Sequence, residues 1–311
     1  MKEFFGGLRK AEGSGSTEII EKDYHLHRLL HRISQNKYLN DNLVFKGGTC
    51  LIKAYTGYYR FSEDIDFTRR QDATWQEKMN GGAPKHCSAE ITKIVREFKG
   101  ISDNLRFGFS GDKSRDMAKG GDVAIRGGGK MVDLWLRYDS EVLEIPVLVK
   151  IQVNLVDLIQ FPIVNIPLRS YVDGIDMEEL RPLYGEPCAE YCREITLPCY
   201  DSREIFTEKC RAAMTRIVYK PRDILDIYMM EREFGYSIGE YRNAIIEKTK
   251  YMLDMYDKYR KSIESMEFPD EHVLTNAEEK LLLRRVPPDF IHEAVRIHNQ
   301  LKPLRQEILS M

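Results

Sequence analysis

The chain has 311 residues, of which 42% are hydrophobic and 31% are charged, and its formal net charge at pH 7 is −2. This composition is typical of a globular protein, and the near-neutral charge argues against a uniformly basic surface for nucleic acid. No stretch approaches the roughly 20 consecutive apolar residues that cross a bilayer. The first ten residues also lack the apolar core of a secretory signal, so we expect a cytoplasmic protein that does not enter a membrane.

The amino-terminal part of the sequence predicts helices alternating with short strands. Apolar residues recur at helical spacing over 17–36, with a hydroxyl residue in place to cap the first turn. A short apolar strand is expected over 43–46, followed by a helix over 49–57. An acidic strand is then expected over 64–68.

The middle of the sequence predicts one more helix and several strands. A helix is expected over 86–99, and alternation of apolar and polar residues predicts a strand over 104–110. The stretch 119–130 is rich in glycine, which favours a mobile loop or a long hairpin tip. It is either a connection without a role or a flap that carries Arg126 and Lys130 towards a phosphate-bearing substrate. Strands over 131–138 and 145–155 each alternate polar with apolar residues, so each has one polar face.

Helical patterns dominate after Pro167. The expected helices are 203–217, 221–234, 238–261, 276–284 and 289–309. Prolines mark the breaks between several of them. We therefore predict an α/β (α+β) fold in two domains, a mixed-sheet domain over 1–166 and a helical domain over 167–311.

Two acidic residues in the strand over 64–68 form the first candidate site. Side chains alternate between faces along a strand, so Asp64 and Asp66 are expected to point one way while Ile65 and Phe67 point the other. Paired carboxylates suit a hard divalent cation such as Mg²⁺. An isolated Asp-x-Asp pair is nevertheless more often a pair of solvated acids than a metal site.

A glycine-rich turn stands just upstream of these acids. The sequence Lys46-Gly47-Gly48-Thr49 opens the predicted helix over 49–57, where free backbone N–H groups and the positive end of the helix dipole suit a phosphate. The spacing of a P-loop is absent. A phosphate-binding turn beside paired carboxylates indicates nucleotidyl or phosphoryl transfer, and Arg60 and Ser62, between the two elements, strengthen that interpretation.

Four patches of the sequence, in order, resemble the AbiEii/AbiGii nucleotidyltransferase toxins, which include the MenT-type enzymes. The most specific is Lys-Gly-Gly-Thr at 46–49 followed by Arg-Phe-Ser-Glu-Asp-Ile-Asp at 60–66. The upstream Glu-Lys-Asp-Tyr at 21–24 is similar to the family's first helix. Two later patches, at 203–212 and 222–228, resemble its Glu-Lys-Leu-x-Ala and Ala-Arg-Asp-Leu-x-Asp-Leu helices.

The resemblance implies a DNA polymerase β-like nucleotidyltransferase core followed by a mainly helical lobe. It implies that Asp64 and Asp66 hold Mg²⁺ or Mn²⁺ and are catalytic together with Lys209, which contacts the triphosphate. Asp223, or alternatively Asp226, completes the site from the helical lobe. The nucleotide-binding residues that it implies are Lys46, Gly47, Gly48, Thr49, Arg60 and Ser62.

The sequence departs from the expected fold at one place. Nucleotidyltransferases of this fold commonly carry a third carboxylate on a later strand, but the strand over 145–155 offers Lys150, Gln152 and Asn154 instead. Asp133 on the neighbouring strand is one replacement, and the aspartate of the helical lobe is another. A site that holds its metal less tightly is the remaining alternative.

These observations predict a metal-dependent nucleotidyltransferase toxin that transfers a nucleotide from a nucleoside triphosphate to an acceptor and releases pyrophosphate. The resemblance implies tRNA as the acceptor and a separately encoded antitoxin as partner. One alternative is a small-molecule nucleotidyltransferase similar to the enzymes that modify aminoglycosides. The other is a non-catalytic nucleotide-binding interaction protein.

Overall fold

The computed structural model of the chain describes residues 1–12, 16–80, 83–112, 121–216, 218–265 and 282–311. The chain forms two compact units. The first consists of Met1–Val156 together with Ile163–Cys199, and the second of Asp157–Pro162 together with Tyr200–Met311. The chain therefore crosses from one unit to the other three times.

The first unit contains seven strands and seven helices in its described residues. The strands are β1 (Leu43–Lys46), β2 (Ile65–Arg69), β3 (Val123–Arg126), β4 (Met131–Asp139), β5 (Pro146–Asn154), β6 (Val164–Leu168) and β7 (Ile195–Cys199). The helices are α1 (Lys2–Glu12), α2 (Thr17–Gln35), α3 (Lys37–Asn42), α4 (Gly47–Cys50), α5 (Ala73–Asn80), α6 (Ala83–Leu105) and α7 (Gly185–Tyr191). Helix α4 continues directly into a wider π-helical turn over Leu51–Thr56.

The seven strands form one mixed sheet in the order β3-β4-β5-β2-β1-β7-β6. Strand β2 runs parallel to β5, and β1 runs parallel to β7, whereas the other neighbours are antiparallel. The predicted α/β fold with a mixed sheet is confirmed. The acidic strand β2 lies between β5 and β1, so its side chains have neighbours on both sides.

One face of the central strands forms the core of the first unit. Residues that are paired across strands point to the same face, which gives the row Phe45, Phe67, Val153 and Val132 on β1, β2, β5 and β4. All four side chains are buried. Helix α6 packs on β4 and helix α2 packs on β7. The alternation of the strands therefore sends the intervening residues, including Asp66, to the opposite face.

The helix predicted over 17–36 is α2, and Ser16 is its cap, because the Ser16 hydroxyl accepts a hydrogen bond from the Ile19 N–H at 3.3 Å. The strand predicted over 104–110 is wrong for its first residues, which complete α6. The helix ends where Arg106 adopts φ of 59° and the Phe107 N–H donates to the Ser102 carbonyl. Only Gly108 forms a bridge, to β4.

The glycine-rich stretch 119–130 forms a hairpin in its described part. Strand β3 is followed by a single turn over Gly127–Gly129 and then by β4. Positive φ values at Gly127, Gly128 and Gly129 let the chain reverse within these three residues. Residues 119 and 120 lie outside the described residues.

The sequence pattern did not reveal β7, and it placed everything after residue 166 in a helical domain. Strand β7 contains Pro198, which favours a break when only local sequence is considered. In the sheet, β7 is paired with both β1 and β6, so residues 163–199 belong to the first compact unit. Pairing with strands that are distant in sequence therefore forms β7 despite the local signal of Pro198.

The second unit is helical in its described residues. Its helices are α8 (Ser202–Thr215), α9 (Pro221–Phe234), α10 (Arg242–Met255), α11 (Asp257–Ser265) and α12 (Phe290–Ser310). The single helix predicted over 238–261 is two helices, divided at Tyr256. Most of the helix predicted over 276–284 lies outside the described residues.

A buried ion cluster ties the short segment 157–162 to the helices of the second unit. Lys248 of α10 pairs with Glu204 of α8 and lies 3.5 Å from Asp157. Glu204 also accepts hydrogen bonds from the backbone N–H groups of Gln160 and Phe161 at 2.7 and 2.9 Å.

In the part of the chain that the structure describes, no helix has the length and apolarity needed to cross a membrane.

Candidate active site

A row of polar residues crosses the face of the sheet opposite the core. Asp66 of β2 is paired with Lys46 of β1 on one side and with Gln152 of β5 on the other. Gln152 is in turn paired with Asp133 of β4. Since paired residues share a face, Lys46, Asp66, Gln152 and Asp133 lie side by side on four neighbouring strands.

The glycine turn lies against the second acid of the pair. Gly47 follows directly after β1 and adopts φ of +76°, a conformation that favours glycine. A Cβ atom at Gly47 would overlap a carboxylate oxygen of Asp66 and lie 2.9 Å from its Cβ. The absence of a side chain at Gly47 therefore lets the Asp66 carboxylate rest directly on the turn.

The residues between the turn and the acids close around the second glycine. Gly48 faces the Arg60 guanidinium and the Ser62 hydroxyl, at 2.7 and 3.1 Å from where its Cβ would be. Thr49 is buried, and its hydroxyl donates to the Asp64 backbone carbonyl and lies 2.9 Å from the Ser62 Oγ. These contacts hold the residues that lead into β2 against α4. The two parts of the predicted motif, 46–49 and 60–66, therefore form one local assembly.

The pair Asp64 and Asp66 offers carboxylate ligands of the type that Mg²⁺ and Mn²⁺ prefer. Asp64 immediately precedes β2 and is partly exposed, whereas Asp66 lies within the strand against the glycine turn. Among the described residues, no group of three or more His, Cys, Asp or Glu side chains is arranged to hold a metal.

Asp133, the proposed replacement for the third carboxylate, has cationic partners of its own. The Arg126 Nε lies 2.7 Å from the Asp133 Oδ2, and the Lys150 Nζ lies 3.6 Å from the same oxygen. The Lys150 Nζ is also 3.4 Å from the Gln152 Oε1. Sequence reasoning placed Arg126 on a possible flap, but it stands on the edge strand β3 and neutralises a buried acid.

A buried ion pair anchors the segment that follows the glycine turn, and sequence reasoning missed it. The Lys53 ammonium lies 2.8 Å from a carboxylate oxygen of Asp23, and both side chains are buried. Asp23 also accepts hydrogen bonds from the hydroxyl groups of Tyr58 and Tyr191, each at 2.9 Å. Burial opposes ionisation of Asp23, but the Lys53 charge and these hydrogen bonds bring its pKa below the ordinary value.

This network explains the Glu-Lys-Asp-Tyr patch at 21–24 in structural terms. Asp23 of α2 fixes Lys53 in the turn after α4, while Glu21 accepts hydrogen bonds from the Ser140 hydroxyl and the Glu141 N–H. The only local signal for the Asp23–Lys53 contact was a lysine within an apolar helical run. The two partners are 30 positions apart, so the sequence gives no direct sign of their pairing.

The predicted site residues of the helical region form a second cluster, on α8 and α9. The Lys209 ammonium lies 3.0 Å from Asp223 and 2.6 Å from Asp226, which follow one another at helical spacing. Arg216 lies 2.7 Å from the other oxygen of Asp223. Both aspartates therefore share the Lys209 ammonium, and Arg216 is a second cation on Asp223.

Burial and charge act in opposite directions on Asp223. Burial alone raises the pKa of its carboxyl, but the charges of Lys209 and Arg216, with the Lys209 hydrogen bond, hold the pKa well below its usual range. Asp223 is therefore a fixed anion at neutral pH. Arg216, with 35% of its side chain exposed, is the part of the cluster that solvent reaches most easily, whereas Lys209 is buried.

Comparison with known proteins gives one family match. The family model described as "Nucleotidyl transferase AbiEii toxin, Type IV TA system" matches residues 28–297. The solved structure of JHP933 from Helicobacter pylori is similar at 13% identity and a TM-score of 0.47, covering 96% of both chains. A candidate nucleotidyltransferase from H. pylori is similar at 14% identity and a TM-score of 0.43, covering 95% of this chain and 98% of that one. No curated protein sequence matches significantly.

Proposed function

We propose an activity for this chain, which belongs to the AbiEii family of nucleotidyl transferase toxins of type IV toxin–antitoxin systems. It transfers a nucleotide from a nucleoside triphosphate to an acceptor and releases pyrophosphate. The observation that carries the proposal is the contact of the Asp66 carboxylate with the Gly47 turn. A carboxylate, which suits a divalent cation, lies there beside the backbone of a predicted phosphate-binding turn. Cation and polyphosphate then share one small site.

Each predicted residue has a part in this proposal. Asp64 and Asp66 hold Mg²⁺ or Mn²⁺, which when bound neutralises the triphosphate and favours in-line displacement. Gly48 and Thr49 hold the nucleotide phosphates, with Thr49 also fixing the Asp64 backbone through its hydroxyl. Lys209 binds the triphosphate, and the buried Asp223 orients its ammonium.

The supporting charges come from the same residues that build the site. Lys46 is the strand partner of Asp66, and Arg60 lies against Gly48, so both cations border the glycine turn. Positive charge at these positions favours an incoming polyphosphate. We propose nucleotide-binding roles for both, and for Ser62, which contacts the same turn.

The acceptor proposed here is tRNA in the cytoplasm, and a separately encoded antitoxin is the proposed partner. The toxin–antitoxin family supports the antitoxin, whereas tRNA is what the resemblance of the sequence motifs implies. The second unit carries Arg216, which pairs with Asp223, and Arg222 in the first turn of α9, and both side chains are partly exposed. Basic side chains of this kind suit a phosphodiester backbone.

The experiment that tests the proposal is incubation of the purified chain with each labelled nucleoside triphosphate, Mg²⁺ and total RNA. We expect label on a small RNA, together with loss of labelling in Asp64→Ala. Asp41→Ala is the matched control, because Asp41 is an exposed acid of the same unit whose carboxylate pairs with the surface residue Lys37. The proposal is wrong if RNA stays unlabelled and Asp64→Ala inhibits growth as strongly as the unchanged chain.

The same assay separates the alternatives. Transfer of the nucleotide to a cationic small molecule but not to RNA would indicate a small-molecule nucleotidyltransferase similar to the enzymes that modify aminoglycosides. Binding of a triphosphate in the presence of Mg²⁺ or Mn²⁺, without any turnover, would indicate a nucleotide-binding interaction protein.

A further inference from the structure

The strand beside Asp66 carries an amide and an ammonium group at the positions where a second metal ion would need acids. Gln152 of β5 is the direct partner of Asp66, and Lys150 lies two residues earlier on the same face. The next carboxylate along the row, Asp133, is one strand further away. Two strand spacings are about 9–10 Å, which is too far for Asp66 and Asp133 to share a cation directly.

Asp133 contacts Lys150, although Arg126 is its nearer cation. The Asp133 side chain is almost fully buried, and its Oδ2 lies 3.6 Å from the Lys150 Nζ and 2.7 Å from the Arg126 Nε. The Gln152 Oε1 contacts the same ammonium at 3.4 Å. These partners both contact the Lys150 ammonium. Because 31% of the Lys150 side chain is still exposed, the ammonium is also open to a ligand.

We infer, on the basis of the proposed function, that this site takes one divalent cation, at Asp64 and Asp66, and that the Lys150 ammonium supplies the second positive charge for the bound triphosphate. A second divalent cation prefers carboxylate ligands, and an amide beside an ammonium disfavours it. An ammonium is a compact point charge that suits phosphate oxygens. Asp133 and Gln152 are positioning residues, since they act through Lys150.

The first test counts cations directly. Mn²⁺ is titrated into the full chain with a non-hydrolysable nucleoside triphosphate analogue, and free Mn²⁺ is followed by electron paramagnetic resonance. We expect one bound Mn²⁺ in total per chain with the analogue in place, and weaker binding of that ion in Asp64→Ala. Gln152→Glu adds a carboxylate directly beside Asp66, and we expect it to tighten Mn²⁺ binding roughly tenfold.

The second test measures affinity for the analogue in the presence of Mn²⁺. Lys150→Met is expected to weaken binding roughly 10- to 100-fold with unchanged Mn²⁺ stoichiometry, because it removes a charge-assisted contact. Lys150→Arg keeps the charge and is expected to retain most of the affinity. Lys99→Met is the matched control, since Lys99 is an exposed lysine of α6 that pairs with Asp103. Asp133→Asn should weaken binding less than Lys150→Met.

The outcomes separate this inference from the proposed function. Two Mn²⁺ bound by the unchanged chain and fewer by Asp64→Ala would leave the proposed function standing and overturn the single-cation inference. Unchanged affinity of folded Lys150→Met for the analogue would overturn the role of Lys150. If Asp64→Ala binds both Mn²⁺ and the analogue as the unchanged chain does, the proposed function itself fails. Circular dichroism of each variant confirms that it is folded.

Discussion

The contact between Gly47 and Asp66 makes a sharp prediction for Gly47→Ala. An alanine at φ of +76° is strained by about 1–2 kcal/mol. Its Cβ would also overlap the Asp66 carboxylate and lie 2.9 and 3.0 Å from the Asp66 Cβ and Cγ. Moving Asp66 off its rotamer adds about 0.5–1.5 kcal/mol, so we expect a total loss of stability of about 1.5–3.5 kcal/mol.

The same displacement is expected to weaken cation binding. Asp66 is a proposed ligand, and shifting it should lower the affinity for Mn²⁺ roughly 10- to 100-fold. Urea unfolding at pH 7 measures the stability loss, and the Mn²⁺ titration measures the affinity. Both assays use the full chain.

Two other glycines serve as controls. Gly174 has φ of +88° with no atom within 4 Å of its would-be Cβ, so Gly174→Ala tests backbone strain alone. Gly48→Ala would meet the Arg60 and Ser62 side chains but no atom of Asp66 among its nearest neighbours, so it tests crowding of the turn without displacement of Asp66. If Gly47→Ala loses no more Mn²⁺ affinity than Gly174→Ala, the reasoning about Asp66 is refuted.

Three further predictions follow from buried polar groups. Thr49→Val removes the hydroxyl that donates to the Asp64 carbonyl, and we expect urea unfolding to show a loss of about 1–2 kcal/mol; no loss would mean that this bond contributes nothing. The pKa of His27 is lowered from 6.5 to about 4, first by burial and second by the charge of Lys53. The free energy of unfolding should therefore fall by up to about 3 kcal/mol as the pH drops from 6.5 to 4, because the unfolded chain takes up a proton that the folded chain resists. His27→Gln should flatten that dependence in unfolding curves, and an unchanged slope would contradict it. Lys209→Met removes the cation shared by two buried aspartates, with an expected cost of about 3–5 kcal/mol at pH 7. The pKa of Asp223 is held low in the folded chain, so the contribution of this carboxylate to stability is present at neutral pH and lost in acid. Lys209→Met should therefore differ least in stability from the unchanged chain at the lowest pH at which both still fold.

The local elements of the site were readable from the sequence because their causes act over a few residues. Strand alternation sent Asp66 to the face opposite Ile65 and Phe67, and the glycine pair marked a turn that ordinary residues avoid. Apolar spacing likewise predicted α2, α8 and α9. Each of these patterns reflects backbone preference or burial along a single segment.

Pairing between distant segments was decided only by the tertiary structure. The insertion of β7 beside β1 joins residues about 150 positions apart, against the local signal of Pro198. The register of β2, β5 and β4 determines that Gln152 rather than an acid stands next to Asp66. Strand register depends on how all the buried side chains of a sheet fit together, so no single segment encodes it. For the same reason, the partners of buried charges such as Asp23 and Asp133 appear only once the chain has folded.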